Sequence, residues 1–111
     1  MLLGVPAEAR INSEEIFGPV APITTFASDD EAIRLANATE YGLASYVYTR
    51  DLARTIKVAE ALEFGMVGVN TGLVSNPAAP FGGVKASGFG REGGFEGIEE
   101  YLDTTYVAIP S

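Results

Sequence analysis

The sequence predicts an α/β fold: a β-α-β-α-β segment with parallel strands, then a long Gly-rich loop and a C-terminal strand. Three features predict it. Short apolar, β-branched runs alternate with stretches of helical period. A residue suited to capping stands in front of each helical stretch. The third apolar run, "MVGVN", is nearly continuous, as in a strand covered on both faces. Strand-helix-strand order favours parallel pairing with right-handed crossovers, and ligands of open α/β sheets gather beyond the carboxyl ends of the strands.

The elements follow in order. Val20 to Phe26, "VAPITTF", reads as a strand whose Pro22 marks an edge or an irregular start. In "SDDEAIRLANAT", Ser28 and Glu31 have capping-box spacing, and Ala32, Ile33, Leu35 and Ala36 form an apolar stripe, with "YGL" at 41 to 43 ending the helix. Ala44 to Tyr48 reads as the second strand. Asp51 can cap a second helix in which Leu52, Ile56, Ala59 and Leu62 recur at helical spacing, and Gly65 is expected to close it in a left-handed conformation. Met66 to Asn70 is the third strand, with Asn70 at its carboxyl end. Thr71 to about Phe95 shows no period and holds seven of the thirteen glycines, so it is either functional or a sign that the domain is incomplete. Ile98 to Tyr101 can form one helical turn, and Leu102 to Ile109 reads as a strand free to pair with another sheet or another subunit.

A chain of 111 residues has room for one domain, which buries roughly two-thirds of its unfolded surface. Fifteen acids against seven bases give a formal charge of −8, which opposes the phosphate neutralisation that nucleic-acid binding needs. No apolar run reaches transmembrane length and no secretory leader pattern opens the chain, so the expectation is a cytoplasmic protein with neither nucleic-acid nor membrane partners. The absence of Cys and His excludes a thiolate nucleophile, an imidazole base and the usual thiolate or imidazole metal sites.

Gly88, Gly90 and Gly93 have the G-x-G-x-x-G spacing of a dinucleotide fingerprint. That fingerprint needs an apolar strand before the first glycine and an amphipathic helix opening at the third. "GGVKAS" is too short and glycine-rich for the former, and "GGFEGIEE" too glycine-rich for the latter, so the stretch reads as a loop, with Lys85, Arg91 and Glu92 available to anchor it by ion pairs.

Two separated motifs carry a resemblance. "EEIFGPVAPI" at 14 to 23 and "PFGGVKASGFGREGG" at 80 to 94 are similar to the C-terminal part of the aldehyde dehydrogenase superfamily, and "NTGLVSNPAAPFGG" resembles its succinate-semialdehyde dehydrogenase branch. The resemblance covers essentially the whole chain from about Val5 and implies that residues 1–111 are a C-terminal portion of the family's catalytic domain. It implies NAD or NADP as cofactor, a small aldehyde as substrate, and a homo-oligomer joined through a strand at about 102–109.

By the same resemblance, Glu15 matches the acid that bonds the nicotinamide ribose hydroxyls and Phe17 the aromatic beside the nicotinamide. Taken alone, Glu15 reads as a solvated loop acid and Phe17 as a core aromatic. Ser75 matches a serine that contacts the far carboxylate of the substrate, and Phe81 an aromatic of the aldehyde tunnel. On its own, Ser75 is a turn residue in "SNP". Arg91 and Asp103 match positions at or near subunit contacts, and are otherwise ordinary surface charges. The family's nucleophilic cysteine, its general-base glutamate and its Rossmann domain lie upstream of the matched region. The resemblance therefore implies a fragment with no catalytic residue of its own and no activity alone, or else a stand-alone module that pairs with a full-length dehydrogenase.

Overall fold

The parallel pairing expected of the apolar runs is present between the second and the third. In the computed structural model, which describes residues 1–110, two units are distinguished, Met1–Thr39 and the chain from Glu40 onward.

In the second unit, β4 (Ala44–Val47) and β5 (Met66–Val69) pair in parallel, with Ala44 opposite Met66 and Val47 opposite Val69. Between them runs α2 (Leu52–Ala61), packed against both strands. This helix starts where the sequence places it, because the Asp51 carboxylate accepts the Arg54 N–H at 3.1 Å. Its inner face is formed by half-buried Thr55, Val58 and Ala59, with half-buried Leu62 just past its end, whereas Leu52 and Ile56, expected on that stripe, are exposed. Met66, 8% exposed, is the sole large apolar side chain buried among the described residues.

Gly65 does not close the helix. The last helical residue is Ala61, Leu62 is already extended, and Gly65 is absent from the positive-φ glycines. Its role is close approach: a Cβ there would overlap the carbonyl oxygen of Gly82, so two backbones touch where any side chain would separate them.

The Gly-rich stretch is more ordered than its composition predicts. A strand β6 (Val84–Lys85) pairs antiparallel with β3 (Tyr41–Gly42), the "YGL" segment expected only to end a helix. Ser87 Oγ accepts the Gly42 N–H at 2.9 Å, and Phe81 and Glu92 exchange both backbone hydrogen bonds at 2.7 Å. These long-range ladder bonds have no local period, which is why the sequence shows no element there. A short helix α3 (Glu96–Glu99) follows. With two residues of strand before Gly88 and four of helix after Gly93, the strand-loop-helix frame of a dinucleotide fingerprint is not formed. The strand expected at Leu102–Ile109 is not formed within the described chain either, and every residue from Tyr101 to Pro110 is exposed.

In the first unit, β1 (Leu2–Leu3) pairs in parallel with β2 (Pro22–Ile23), a shorter strand than the expected Val20 to Phe26. The five-element run is thus not one ladder: its first strand pairs with Leu2–Leu3, and each described sheet has two strands. Helix α1 (Asp29–Asn37) begins at Ser28, whose Oγ accepts the Glu31 N–H at 3.2 Å. The Glu31 carboxylate reaches back to the Ala27 N–H at 2.8 Å, one residue beyond the capping-box position.

Candidate functional site

Of the six site candidates, Glu15 and Phe17 belong to the first unit. They follow a 3-10 turn, Arg10–Asn12, in which Asn12 Nδ2 donates to the Pro6 carbonyl at 2.8 Å. Arg10 grips Glu14 through two hydrogen bonds of 2.6 Å, Nε to Oε1 and Nη2 to Oε2. This pairing holds the Glu14 carboxyl below the ordinary glutamate range and raises the arginine, with burial opposing weakly in each case. The guanidinium is thereby committed to Glu14, and the adjacent Glu15 carboxylate faces solvent. Phe17 is 94% exposed, so the sequence alternative of a core aromatic does not hold within this chain.

Ser75 and Phe81 come together in the second unit. They line one cleft of about 280 Å³ with Asn76, Pro77, Glu92 and Gly93. The turn that "SNP" predicts is made by Asn76, not Ser75: Asn76 Oδ1 accepts the Ala78 N–H at 2.9 Å, and its carbonyl accepts the Ala79 N–H at 3.0 Å. Among the described residues no hydrogen bond engages the Ser75 hydroxyl, so it remains available to a ligand.

Phe81 also lines a second cleft, of about 550 Å³, with Phe89, Arg91, Glu100 and Tyr101. Arg91 is half-buried there. Its Nη1 donates to the carbonyls of Gly83 and Gly90, both at 2.7 Å, so it fastens the loop by backbone bonds rather than by the expected ion pair. Lys85 does form one, Nζ to Glu63 Oε2 at 2.6 Å. Asp103 is exposed and lines neither cleft.

At the carboxyl ends of β4 and β5, Asn70 and Thr49 are locked to each other. Asn70 Oδ1 accepts the Thr49 N–H, and Asn70 Nδ2 donates to the Thr49 carbonyl, both at 2.9 Å. The sequence places Asn70 at a strand end but gives no partner for it. Continued one step, the β4–β5 register sets Tyr48 rather than Thr49 opposite Asn70, so the pairing reaches one residue past the register partner and leaves no signal in the sequence. Among the described residues no cluster of three or more carboxylates is placed to hold a metal, and no helix is long and apolar enough to cross a membrane.

The model of the aldehyde dehydrogenase family matches residues 1–107. The chain belongs to that family. Over 109 residues it is 62% identical to a succinate-semialdehyde dehydrogenase of Paenarthrobacter nicotinovorans, covering 98% of this chain and 24% of that enzyme. It is 57% identical to a glutarate-semialdehyde dehydrogenase of Pseudomonas putida, covering 98% of this chain and 23% of that enzyme. A crystal structure of a succinate-semialdehyde dehydrogenase from Burkholderia pseudomallei superposes with a TM-score of 0.84 at 60% identity, covering 88% of this chain and 20% of that one. Aldehyde dehydrogenases similar to this chain use NADP+ or hold NAD+ in their crystals. The chain spans about a quarter of the length of the curated relatives it matches.

Proposed function

We propose that residues 1–111 are a C-terminal portion of the catalytic domain of a cytoplasmic, homo-oligomeric, NAD(P)+-dependent dehydrogenase that oxidises succinate semialdehyde to succinate. The observation that carries the substrate assignment is the cleft shared by Ser75 and Phe81, in which an unengaged hydroxyl stands beside an aromatic wall. That pairing suits an aldehyde with a polar far end and an apolar middle. A single hydroxyl holds a carboxylate weakly, so the strength of the site comes from arginines in the rest of the enzyme.

In the cofactor role, Glu15 presents a carboxylate that Arg10 does not compete for, and two neighbouring ribose hydroxyls can donate to its two oxygens. The open face of Phe17 suits packing beside a nicotinamide ring, narrowing the poses available to it. Bound NAD(P)+ supplies the hydride acceptor. Within this chain the residues bind, orient and exclude water; with no cysteine, the attack on the aldehyde carbonyl is made by a thiolate elsewhere in the enzyme. The isolated chain is therefore inactive. Arg91, Asp103 and the apolar tail 102–109 serve the subunit contact, where the tail gains the ladder partners it lacks here.

The test uses a hybrid enzyme in which this chain replaces the matching quarter of the P. nicotinovorans dehydrogenase. Ser75→Ala in the hybrid is expected to raise KM for succinate semialdehyde about tenfold, the loss of one hydrogen bond to a charged group, with little change for butanal. Equal KM changes for both aldehydes would remove Ser75 from carboxylate recognition. Steady cofactor reduction by the isolated chain would overturn the assignment of chemistry to the missing part.

A second reading is a stand-alone module that docks on a full-length dehydrogenase. It is favoured by the exposure of Phe89, Phe95, Tyr106 and Ile109, each at 86% or more. Co-purification of the chain with an intact family member would support it.

A further inference from the structure

The loop that carries Ser75 is held at two points that the roles proposed above do not explain. The first is Asn70. Its backbone lies at φ 52, the left-handed region that few residues other than glycine adopt, and its side chain makes the two 2.9 Å bonds to Thr49. A left-handed residue directly after β5 turns the chain out of the strand direction. The reciprocal bonds fix that turn to the end of the neighbouring strand.

The second point is Val74. Between Thr71 and Ala78 it alone is not exposed. Its Cγ1 lies 3.0 Å from where a Cβ of Gly68 would stand, and Tyr46 Cδ1 lies 2.6 Å from the same point. The missing side chain of Gly68 thus makes a notch in β5, flanked by Tyr46 in the opposite register position, and Val74 lies in it. Between the two points, Thr71 Oγ1 accepts the Leu73 N–H at 3.2 Å and keeps the span short. Ser75 is the next residue after Val74, so its place in the cleft is set by the two mounts.

We infer that Asn70 is a positioning residue for recognition of the substrate's far end, acting with the Val74 seat at Gly68 to hold the Ser75 hydroxyl. This rests on the proposed role of Ser75 itself. Small displacements of a binding group lose much of its effect, while the reacting carbonyl is handled elsewhere.

Asn70→Gly is the decisive variant, because glycine keeps the left-handed backbone and removes only the clamp. In the hybrid enzyme it is expected to raise KM for succinate semialdehyde about tenfold, as Ser75→Ala does, with kcat within about twofold and KM for butanal and NAD(P)+ unchanged. Gly68→Ala, which closes the notch, is expected to act in the same direction, and Asn70→Asp, which keeps the acceptor, to fall between. If Ser75→Ala is selective for succinate semialdehyde and Asn70→Gly is not, or if Asn70→Gly lowers every parameter together with thermal stability, the inference is wrong while the role of Ser75 stands. If neither variant is selective, the role of Ser75 fails first. A readout that does not depend on turnover is amide exchange on the hybrid enzyme: Asn70→Gly is expected to speed exchange at Leu73 while leaving β4 and β5 protected. Unchanged exchange there would overturn the inference.

Discussion

Gly65 shows how a residue can stand out in a sequence for one reason and be required by the fold for another. Its place after an apolar helix suggests a left-handed terminator, yet the constraint comes from Gly82, in a segment far along the chain. Such a contact leaves no local pattern, which is why the sequence revealed the glycine and not its function. Gly65→Ala is expected to destabilise the hybrid enzyme by about 1–3 kcal/mol, because the methyl must displace backbone. Gly72→Ala, whose Cβ would meet only the Tyr48 hydroxyl at 3.6 Å, serves as the near-neutral control in the same thermal melt. Asn76 teaches a related lesson: in "SNP" the sequence predicts a turn correctly, but composition does not say which polar side chain closes it. At Glu14 the prediction concerns protons. Its pKa is depressed by Arg10, so the pairing is present above the ordinary glutamate range and is lost as pH falls through the lowered value. Carboxyl NMR titration is expected to show Glu14 returning to ordinary values in Arg10→Ala, with little effect on overall stability because the pair lies at the surface.

At the level of elements, legibility follows the range of the interactions that define them. Both long helices begin where the sequence puts them, since Ser28 and Asp51 act on amides three residues away. Asp51→Ala is expected to cost about 1 kcal/mol and to fray the first turn of α2, measurable by amide exchange at Arg54. The β4–β5 pair was equally legible because a helix of fixed length joins two apolar runs. By contrast, β3–β6 and the Phe81–Glu92 bridge join residues with no shared period, and the stretch read as an irregular loop. The apolar stripe of α2 was half right. Thr55 and Val58 pack inward in place of Leu52 and Ile56, which leaves two large side chains on an outer face that only a further layer of protein would cover.

On the scale of the molecule, the balance between buried and exposed apolar surface is that of part of a larger structure. One buried large side chain cannot offset the conformational entropy of a chain this long. The isolated chain is accordingly expected to bind a hydrophobic dye such as ANS and to melt without a sharp transition, whereas the hybrid enzyme should do neither. A sharp, dye-free melt of the chain alone would instead favour an independent module. The sequence pointed the same way through the aperiodic, glycine-rich stretch from Thr71 to about Phe95, but could not say which faces were left open.

The two backbone bonds between Phe81 and Glu92 cinch the base of a hairpin whose outgoing limb bears a wall of the smaller cleft and whose returning limb bears Arg91. Inside it, Val84–Lys85 pairs with Tyr41–Gly42, so one residue added or deleted between Phe81 and Val84 would shift β6 against β3 and reverse which way its side chains point. Between those two anchors, re-tailoring of the pocket proceeds more readily by exchange of residues than by insertion.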